Sequence, residues 1–240
     1  MRFLLYILLA FILFLPVTAR AKDLGEKLSG RILLQVENNG EAWYINPENN
    51  KKYYMGRPDN AFVLMYELGI GITNENLEKI EIAEENTRGA DNDGDGLSNI
   101  IEDAIGTNID HWDTDSDGFS DRGELFSGFN PRGTGKILTD NDFAKTHSGK
   151  IFLQVENNGE AWYINPVDHK RYFLGRPDDA FSVMRNLGLG ISNVNLNPIP
   201  SDEEYIKVFN DRLKGIYDDS YNKIISAKDK IYESTNETHA

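Results

Sequence analysis

The 240-residue sequence contains no cysteine. A protein exported to an oxidising compartment often gains rigidity from disulfides, so this chain must use other means, of which bound metal is one. The absence also excludes a cysteine nucleophile and the attachment of a lipid through cysteine.

Basic residues are scarce relative to acidic ones. The chain has 25 Lys and Arg against 39 Asp and Glu, which gives a formal net charge of −14 at pH 7. Such an excess of carboxylate repels nucleic acid and anionic lipid surfaces, and it is offset by bound cations. The composition therefore excludes nucleic acid as an expected partner and favours cations.

Known catalytic motifs are missing as well. The four histidines are scattered, and no nucleophile elbow, zinc-protease, phosphate-loop or dinucleotide pattern occurs. We therefore predict that the protein is not an enzyme. A secreted hydrolase that uses two carboxylates placed by the fold remains a second alternative.

The first 21 residues have the pattern of a secretory signal peptide. A basic Arg2 precedes an apolar run over 3–15, followed by Pro16 and the small-residue pattern Ala19-Arg20-Ala21. The run is shorter than the ~20 residues of a spanning helix, which favours cleavage over retention as an anchor. We expect a secreted, extracellular or cell-envelope protein.

An internal repeat frames the rest of the chain. Residues 30–80 return as residues 149–199, with about two thirds of the aligned positions identical. Each copy contains the string AWYINP, which resembles short repeats in exported bacterial proteins. The predicted organisation is a first module at 22–88, a central region at 89–129, a second module at 130–200 and a C-terminal helix at 201–240.

Turn signals within each copy predict three short strands and a helix. An Asn-Asn-Gly turn joins the first two strands, an Asn-Pro turn leads into the third, and Pro58 or Pro177 opens the helix. The predicted fold class is α+β, with two small three-stranded antiparallel sheet-plus-helix modules on either side of a loop and short-helix linker.

Adjacent aromatic residues in each second strand have two interpretations. Because side chains alternate between faces, one of each pair should pack under the helix and the other should lie on the open face. The rings form the core of a small domain, or they line a groove for a cell-wall glycan. The candidate ligand-binding residues are Trp43, Tyr44, Trp162 and Tyr163.

The central region contains two acidic loops with the spacing D-x-[DN]-x-[DN]-G-x₅-E. Both loops match every position of this pattern. The candidate metal ligands are Asp91, Asp93, Asp95, Leu97, Asn99 and Glu102 in the first loop, and Asp113, Asp115, Asp117, Phe119, Asp121 and Glu124 in the second.

This spacing suits Ca²⁺, which takes six to eight oxygen ligands at about 2.3–2.6 Å. Short carboxylates at alternate positions wrap around the ion, glycine permits the reversal, and the final Glu closes the site from a short helix. The residue at position 7 offers only its carbonyl, so Leu97 and Phe119 are expected to point their side chains into a shared core. Whether Asp103 or Asp110 also reaches an ion is open.

The two loops, DNDGDGLSNIIEDAIGTN and DTDSDGFSDRGEL, resemble the bacterial form of the thrombospondin type 3 calcium-binding repeat, which is related in loop geometry to EF-hand and dockerin loops. The resemblance covers residues 91 to about 129. It implies a compact, metal-ordered spacer in an exported protein. No amphipathic helix precedes either loop, so an EF-hand opening switch is not expected.

After the second copy, apolar residues recur at helical spacing through a charged segment. Ser201 and Glu204 have the spacing of a capping box, so we predict an amphipathic helix over 201–240. It either packs on the second module or pairs with another chain. The expected function is calcium-dependent structural support or interaction with another envelope protein, and glycan binding is the alternative.

Overall fold

The computed structural model describes residues 24–37, 40–56, 58–84, 89–203, 205–207, 211 and 214–215. The predicted signal peptide at 1–21 lies outside them. Within these ranges no helix is both long enough and apolar enough to cross a membrane.

Short strands and short helices alternate along the chain. In order they are β1 (Ile32–Gln35), β2 (Ala42–Ile45), β3 (Lys52–Tyr54), α1 (Pro58–Leu68), β4 (Ile70–Ile72), α2 (Asn74–Glu78), α3 (Asn99–Ile105), α4 (Asp121–Ser127), α5 (Asn141–Thr146), β5 (Ile151–Gln154), β6 (Ala161–Ile164), β7 (Arg171–Phe173), α6 (Pro177–Leu187), β8 (Leu189–Ile191) and α7 (Asn193–Leu196). The protein is therefore a mixed α+β fold, as predicted.

Each copy contains the three antiparallel strands that its turns predict. β2 lies between β1 and β3, with Trp43 opposite Leu33. β6 lies between β5 and β7 in the same way, with Trp162 opposite Phe152. The second hairpin turns at Gly159, whose φ of +83° is a conformation that glycine adopts without strain.

The fourth strand of each sheet comes from the other copy. Sheet A has the order β3-β2-β1-β8, and sheet B has the order β4-β5-β6-β7. β8 pairs in parallel with β1, and β4 pairs in parallel with β5. Each sheet thus has four strands instead of the predicted three, because the exchanged strand pairs the edge that three short strands leave open. Neither copy completes a sheet by itself.

The two copies meet around an approximate two-fold axis. The Tyr44 hydroxyl donates a hydrogen bond to the Gly149 carbonyl at 2.6 Å, and the Tyr163 hydroxyl donates one to the Gly30 carbonyl at 2.7 Å. Helices α1 and α6 also contact each other. The described residues up to Pro200 form one compact unit.

The central segment packs on sheet B. Its buried side chains belong to the same core cluster as Trp162 and Phe173; they are Leu97, Ile101, Ala104 and Leu125. The unpredicted helix α5 adds Ala144 to this cluster. Trp43, the counterpart of Trp162, is only half-buried and belongs to a smaller cluster. Two nearly identical sheets therefore have different coverings.

The residues from Ser201 onward form a second unit, described here by itself. Those whose backbone is described at 203, 205–207, 211 and 214–215 are helical. The Asp202 carboxylate accepts a hydrogen bond from the Tyr205 backbone N–H at 3.1 Å, so the cap is Asp202 and not the predicted Ser201. Glu204 and most of the predicted apolar stripe lie outside the described residues.

Candidate metal centre

The first acidic loop brings the carboxylates of Asp91, Asp93 and Asp95 together. One oxygen from each lies within 4.8 Å of the others. Both Asp91 oxygens accept backbone hydrogen bonds, from Gly94 N at 2.8 Å and Gly96 N at 3.1 Å. The loop therefore curls around its first carboxylate, and Gly96 permits the turn with a φ of +95°.

The second loop repeats this geometry. Asp113, Asp115 and Asp117 form the equivalent group, again with oxygens within 4.8 Å of one another. The Asp113 carboxylate accepts from Asp117 N at 3.2 Å and from Gly118 N at 2.8 Å. The structure thus brings together the residues predicted at positions 1, 3 and 5 of both loops.

Glu102, the predicted closing residue of the first loop, is fully buried without a partner. It lies on α3, its side chain is inaccessible to solvent, and neither carboxylate oxygen has a hydrogen bond to any described residue. Burial and then the nearby Asp93 and Asp95 carboxylates raise its pKa to about 7. A buried carboxylate beside other carboxylates is costly unless a proton or a cation neutralises it.

Glu124 occupies the same position in the second loop. It lies on α4, whose N-cap Ser120 accepts a hydrogen bond from Gly123 N, and its Oε2 is buried without a partner among the described residues. Burial and then the Asp117 and Asp115 carboxylates raise its pKa to about 7. The closing position of each loop therefore carries a buried carboxylate with at least one unpartnered oxygen.

The two residues at position 7 of the loops differ in how far their side chains are buried. Leu97 is fully buried in the core cluster, as predicted, and its carbonyl remains a candidate ligand. Phe119 is 67% exposed, so the prediction that its ring enters a shared core is wrong. The hydrophobic core under sheet B therefore includes position 7 of the first loop but not position 7 of the second loop.

The residues at position 9 connect the start of each loop to its helix. Asn99 Oδ1 accepts from Asn92 N at 2.9 Å. Asp121 accepts from the Thr114 backbone N–H at 2.8 Å and from its hydroxyl at 2.6 Å, and it is fully buried. Both predicted ligands thus hold the loop closed, an arrangement that suits contact with an ion through water.

The two further acids considered from the sequence lie apart from these groups. Asp103 is exposed and accepts a hydrogen bond from Asn158 at 3.3 Å. Asp110 is also exposed and accepts one from Asn92 Nδ2 at 3.0 Å. Each carboxylate contacts a neighbouring loop residue, and neither belongs to the two acidic groups found among the described residues.

A contact that the sequence did not reveal joins the two loops. The backbone N–H of Arg122, in the first turn of α4, donates to Asp95 Oδ2 at 2.9 Å. The Arg122 guanidinium pairs with Glu84 at 2.6 Å. Asp95 and Arg122 are 27 residues apart, so no local spacing signals this link. It makes the first acidic group depend on the position of the second loop's helix.

Hydrogen bonds from the Gln154 side chain connect the acidic region to sheet B. Its side-chain amide donates to the Ala104 carbonyl at the end of α3 at 2.7 Å and to Asn74 Oδ1 at 2.8 Å. Its oxygen accepts from Trp162 Nε1 at 3.0 Å. A buried side chain with all these partners fixes the helix, the exchanged segment and the tryptophan relative to one another.

Three of the four aromatic candidates for ligand binding are buried. Tyr44 and Tyr163 face the other copy, and Trp162 lies beneath the central segment. Trp43 is half-buried and packs against Tyr54 with the rings tilted by 54° and their centroids 5.0 Å apart. The structure does not bring these four rings to one surface.

The donor set of both loops consists of oxygen atoms. Carboxylates, together with the carbonyls at position 7, are the ligands of hard cations such as Ca²⁺ and Mg²⁺. The unpartnered oxygens of Glu102, Asp93 and Glu124 are the acceptors that such an ion would use. These residues fit a hard divalent cation.

Comparisons with family models, with curated proteins and with solved structures give no match to this chain. The resemblance to thrombospondin type 3 repeats therefore stays a prediction based on the loop residues.

Proposed function

We propose that the protein is an exported, non-enzymatic calcium-binding protein with a structural or interaction role, and that two Ca²⁺ ions hold the central segment against sheet B. The first ion would be held by Asp91, Asp93, Asp95 and Glu102, and the second by Asp113, Asp115, Asp117 and Glu124. The carbonyls of Leu97 and Phe119 would complete the two sites.

The observation that carries this proposal is the pair of buried, unpartnered glutamates. Glu102 is inaccessible to solvent and neither of its oxygens has a partner among the described residues, and Glu124 has one such oxygen. Besides burial, the Asp93 and Asp95 carboxylates raise the pKa of Glu102, and those of Asp117 and Asp115 raise the pKa of Glu124. A buried carboxylate without a partner destabilises a fold by several kcal/mol. A divalent cation bound between each glutamate and the aspartates of its loop would remove that cost at both places.

The position of α3 links metal binding to the core. Glu102 and its neighbours Ile101 and Ala104 lie on one short helix, and the latter two pack in the cluster around Trp162. A seven-residue helix is not stable alone in water. Holding Glu102 on a cation would therefore hold the apolar cover of sheet B.

The predicted signal peptide supports a role outside the cytoplasm. Extracellular calcium modules bind in the range of about 10⁻⁴–10⁻³ M, so the ions would be permanent parts of the structure. The calcium sites are proposed to support the interlocked sheets for contact with an envelope partner. The burial of Trp162, Tyr44 and Tyr163 does not support the alternative of glycan binding, because buried rings are not accessible to a glycan.

Calorimetric titration of Ca²⁺ into the metal-stripped chain at neutral pH tests the proposal. Wild type should bind two ions, and Glu102→Gln and Glu124→Gln should each bind one, because each variant removes the closing ligand of one loop. Asp103→Asn is the matched control, since it removes the acid next to Glu102 that lies on the surface. It should bind two ions.

Wild-type protein that takes up no Ca²⁺ at millimolar concentration would overturn the proposal. So would an Asp103→Asn variant that loses a site while Glu102→Gln keeps both. A parallel titration with Mg²⁺ should give weaker binding, because Mg²⁺ demands a smaller octahedral site and dehydrates reluctantly.

A further inference from the structure

Arg171 is a buried cation without a hydrogen-bonding partner. It lies on β7, is 4% exposed, and its Nε is buried with no acceptor. Within the described part of the chain its guanidinium has no ion pair within 4.0 Å, and it lies over the face of Trp162, 4.9 Å from the ring centroid. Burial lowers its pKa to about 10, and the Glu78 carboxylate, which pairs with Arg132, offsets this lowering only in part. Buried arginines are nearly always paired, so this group calls for an anion.

The repeat supplies an internal comparison. Lys52 occupies the equivalent position in sheet A, next to Trp43. Its ammonium donates to the carbonyls of Leu196 at 2.9 Å and Asn197 at 3.1 Å, at the end of α7. In one copy the cation is thus satisfied by the chain itself, and in the other copy it is not.

Arg171 instead lines a cavity of about 300 Å³ between α2, α3 and the loop that follows α4. Four basic residues and only two acidic ones line this cavity in a chain of net charge −14. The basic residues are Lys79, Arg132, Lys136 and Arg171, and the acidic residues are Glu75 and Glu78. Both acids are already paired, Glu78 with Arg132 and Glu75 with Lys79.

The remaining walls are largely apolar. Ile105, Leu125, Ile137 and Leu138 line the cavity next to the basic residues. Leu138 is 86% exposed, so the cavity has an apolar rim at its entrance. A site with convergent cations on one side and aliphatic side chains on the other suits a small ligand with an anionic head and a short apolar body.

We propose that this cavity binds a small amphipathic carboxylate, with its head between Arg171 and Lys136 and its apolar body against Ile137 and Leu138. The planar guanidinium suits a carboxylate because it can donate two parallel hydrogen bonds. The head group neutralises Arg171, and the apolar body excludes water from Leu125. This site is separate from the two acidic loops.

The experiment uses calcium-saturated full-length protein and 3-methylbutanoate as the probe, with the neutral 3-methylbutanamide as the chemical control. The indole N–H of Trp162, on which Arg171 lies, is the NMR reporter. The carboxylate should shift this resonance saturably, and the amide should not. Lys136→Gln and Arg171→Met should each weaken binding by about tenfold or more.

Two further variants test whether the effect is specific to the charges that line the cavity. Lys145→Gln removes an exposed lysine outside the cavity and should leave binding unchanged. Glu78→Gln removes an acid from the cavity wall and should strengthen binding, an effect that a purely structural role of Arg171 does not predict. If Arg171→Met fails to fold, Lys136→Gln and Glu78→Gln decide the question.

The proposal is overturned if the folded wild type shows no saturable shift, if the amide binds as well as the carboxylate, or if the cavity variants bind like wild type. Inorganic phosphate provides the last comparison. Should phosphate bind and the carboxylate fail to compete with it, the ligand class is wrong.

Discussion

Gly30 and Gly149 touch each other across the axis that relates the two copies: a Cβ added to Gly30 would lie 2.4 Å from the Cα of Gly149. Both have positive φ, +74° and +81°. Beside them, Tyr44 and Tyr163 donate their reciprocal hydrogen bonds to these two glycine carbonyls. The interlocking of the copies thus depends on a backbone contact that only glycine allows.

We expect Gly30→Ala and Gly149→Ala each to destabilise the fold by about 2–4 kcal/mol, since each adds steric overlap to an unfavourable φ. Gly40→Ala is the matched control. Its φ is +75°, but no atom of the described residues lies within 4 Å of the added Cβ, so it should cost only about 1 kcal/mol. Urea unfolding measures all three, and equal losses would show that the close approach does not matter.

The unequal covering of the two sheets gives a second test. Trp162→Ala should destabilise the protein by about 3–5 kcal/mol, because it empties a fully buried site under the central segment. Trp43→Ala, at the equivalent half-buried position, should cost about half as much. Chemical denaturation of both variants in saturating Ca²⁺ makes the comparison. A larger loss for Trp43→Ala would mean that the central segment does not cover sheet B.

Much of each copy follows from local sequence. Gly106 and Gly128 end α3 and α4 in the left-handed conformation, as their positions predict. Pro58 and Pro177 begin the two longest described helices, and the three strands of each copy are separated by the predicted turns. These features depend on neighbouring residues alone.

The strand exchange could not be predicted in this way. Ile70-Gly71-Ile72 follows a helix and contains glycine, so it has the pattern of a helix end, yet it pairs with Phe152 and Leu153 some 80 residues away. The exchanged strands Ile70–Ile72 and Leu189–Ile191 differ at one position, so either strand could complete either sheet. Only the geometry of the whole chain decides between them.

The candidate metal centre also has one part that local sequence predicts and one part that depends on contacts between distant residues. The loop spacing predicts the grouping of Asp91, Asp93 and Asp95, because all the contacts are local. The exposure of Phe119 and the link from Arg122 to Asp95 depend on how the two loops lie against sheet B. Sequence spacing carries no information on that packing.

The raised pKa values of Glu102 and Glu124 predict an unusual pH dependence for the metal-free protein. Both are about 7, above the ordinary glutamate value, so the folded state binds more protons than the unfolded chain between about pH 4.5 and 7. Stability should therefore fall as pH rises through that window, by on the order of 1–3 kcal/mol per carboxyl.

Denaturant unfolding of metal-stripped protein at pH 5 and pH 8 measures this effect. Saturating Ca²⁺ should remove the loss at pH 8, because the metal replaces the protons. The double variant Glu102→Gln, Glu124→Gln should show a flatter pH profile without metal. An equally steep fall in the double variant would assign the effect to other groups.

Thermal melting of the metal-stripped wild-type chain at pH 7.5, with and without about 1 mM Ca²⁺, measures whether calcium holds the central segment on sheet B. We expect Ca²⁺ to raise the Tm of the wild type and of Asp103→Asn by several degrees or more, and to leave the Tm of the double glutamine variant unchanged. If millimolar Ca²⁺ leaves the wild-type Tm unchanged, the ions do not hold the central segment on sheet B, and the proposed calcium-binding function is wrong.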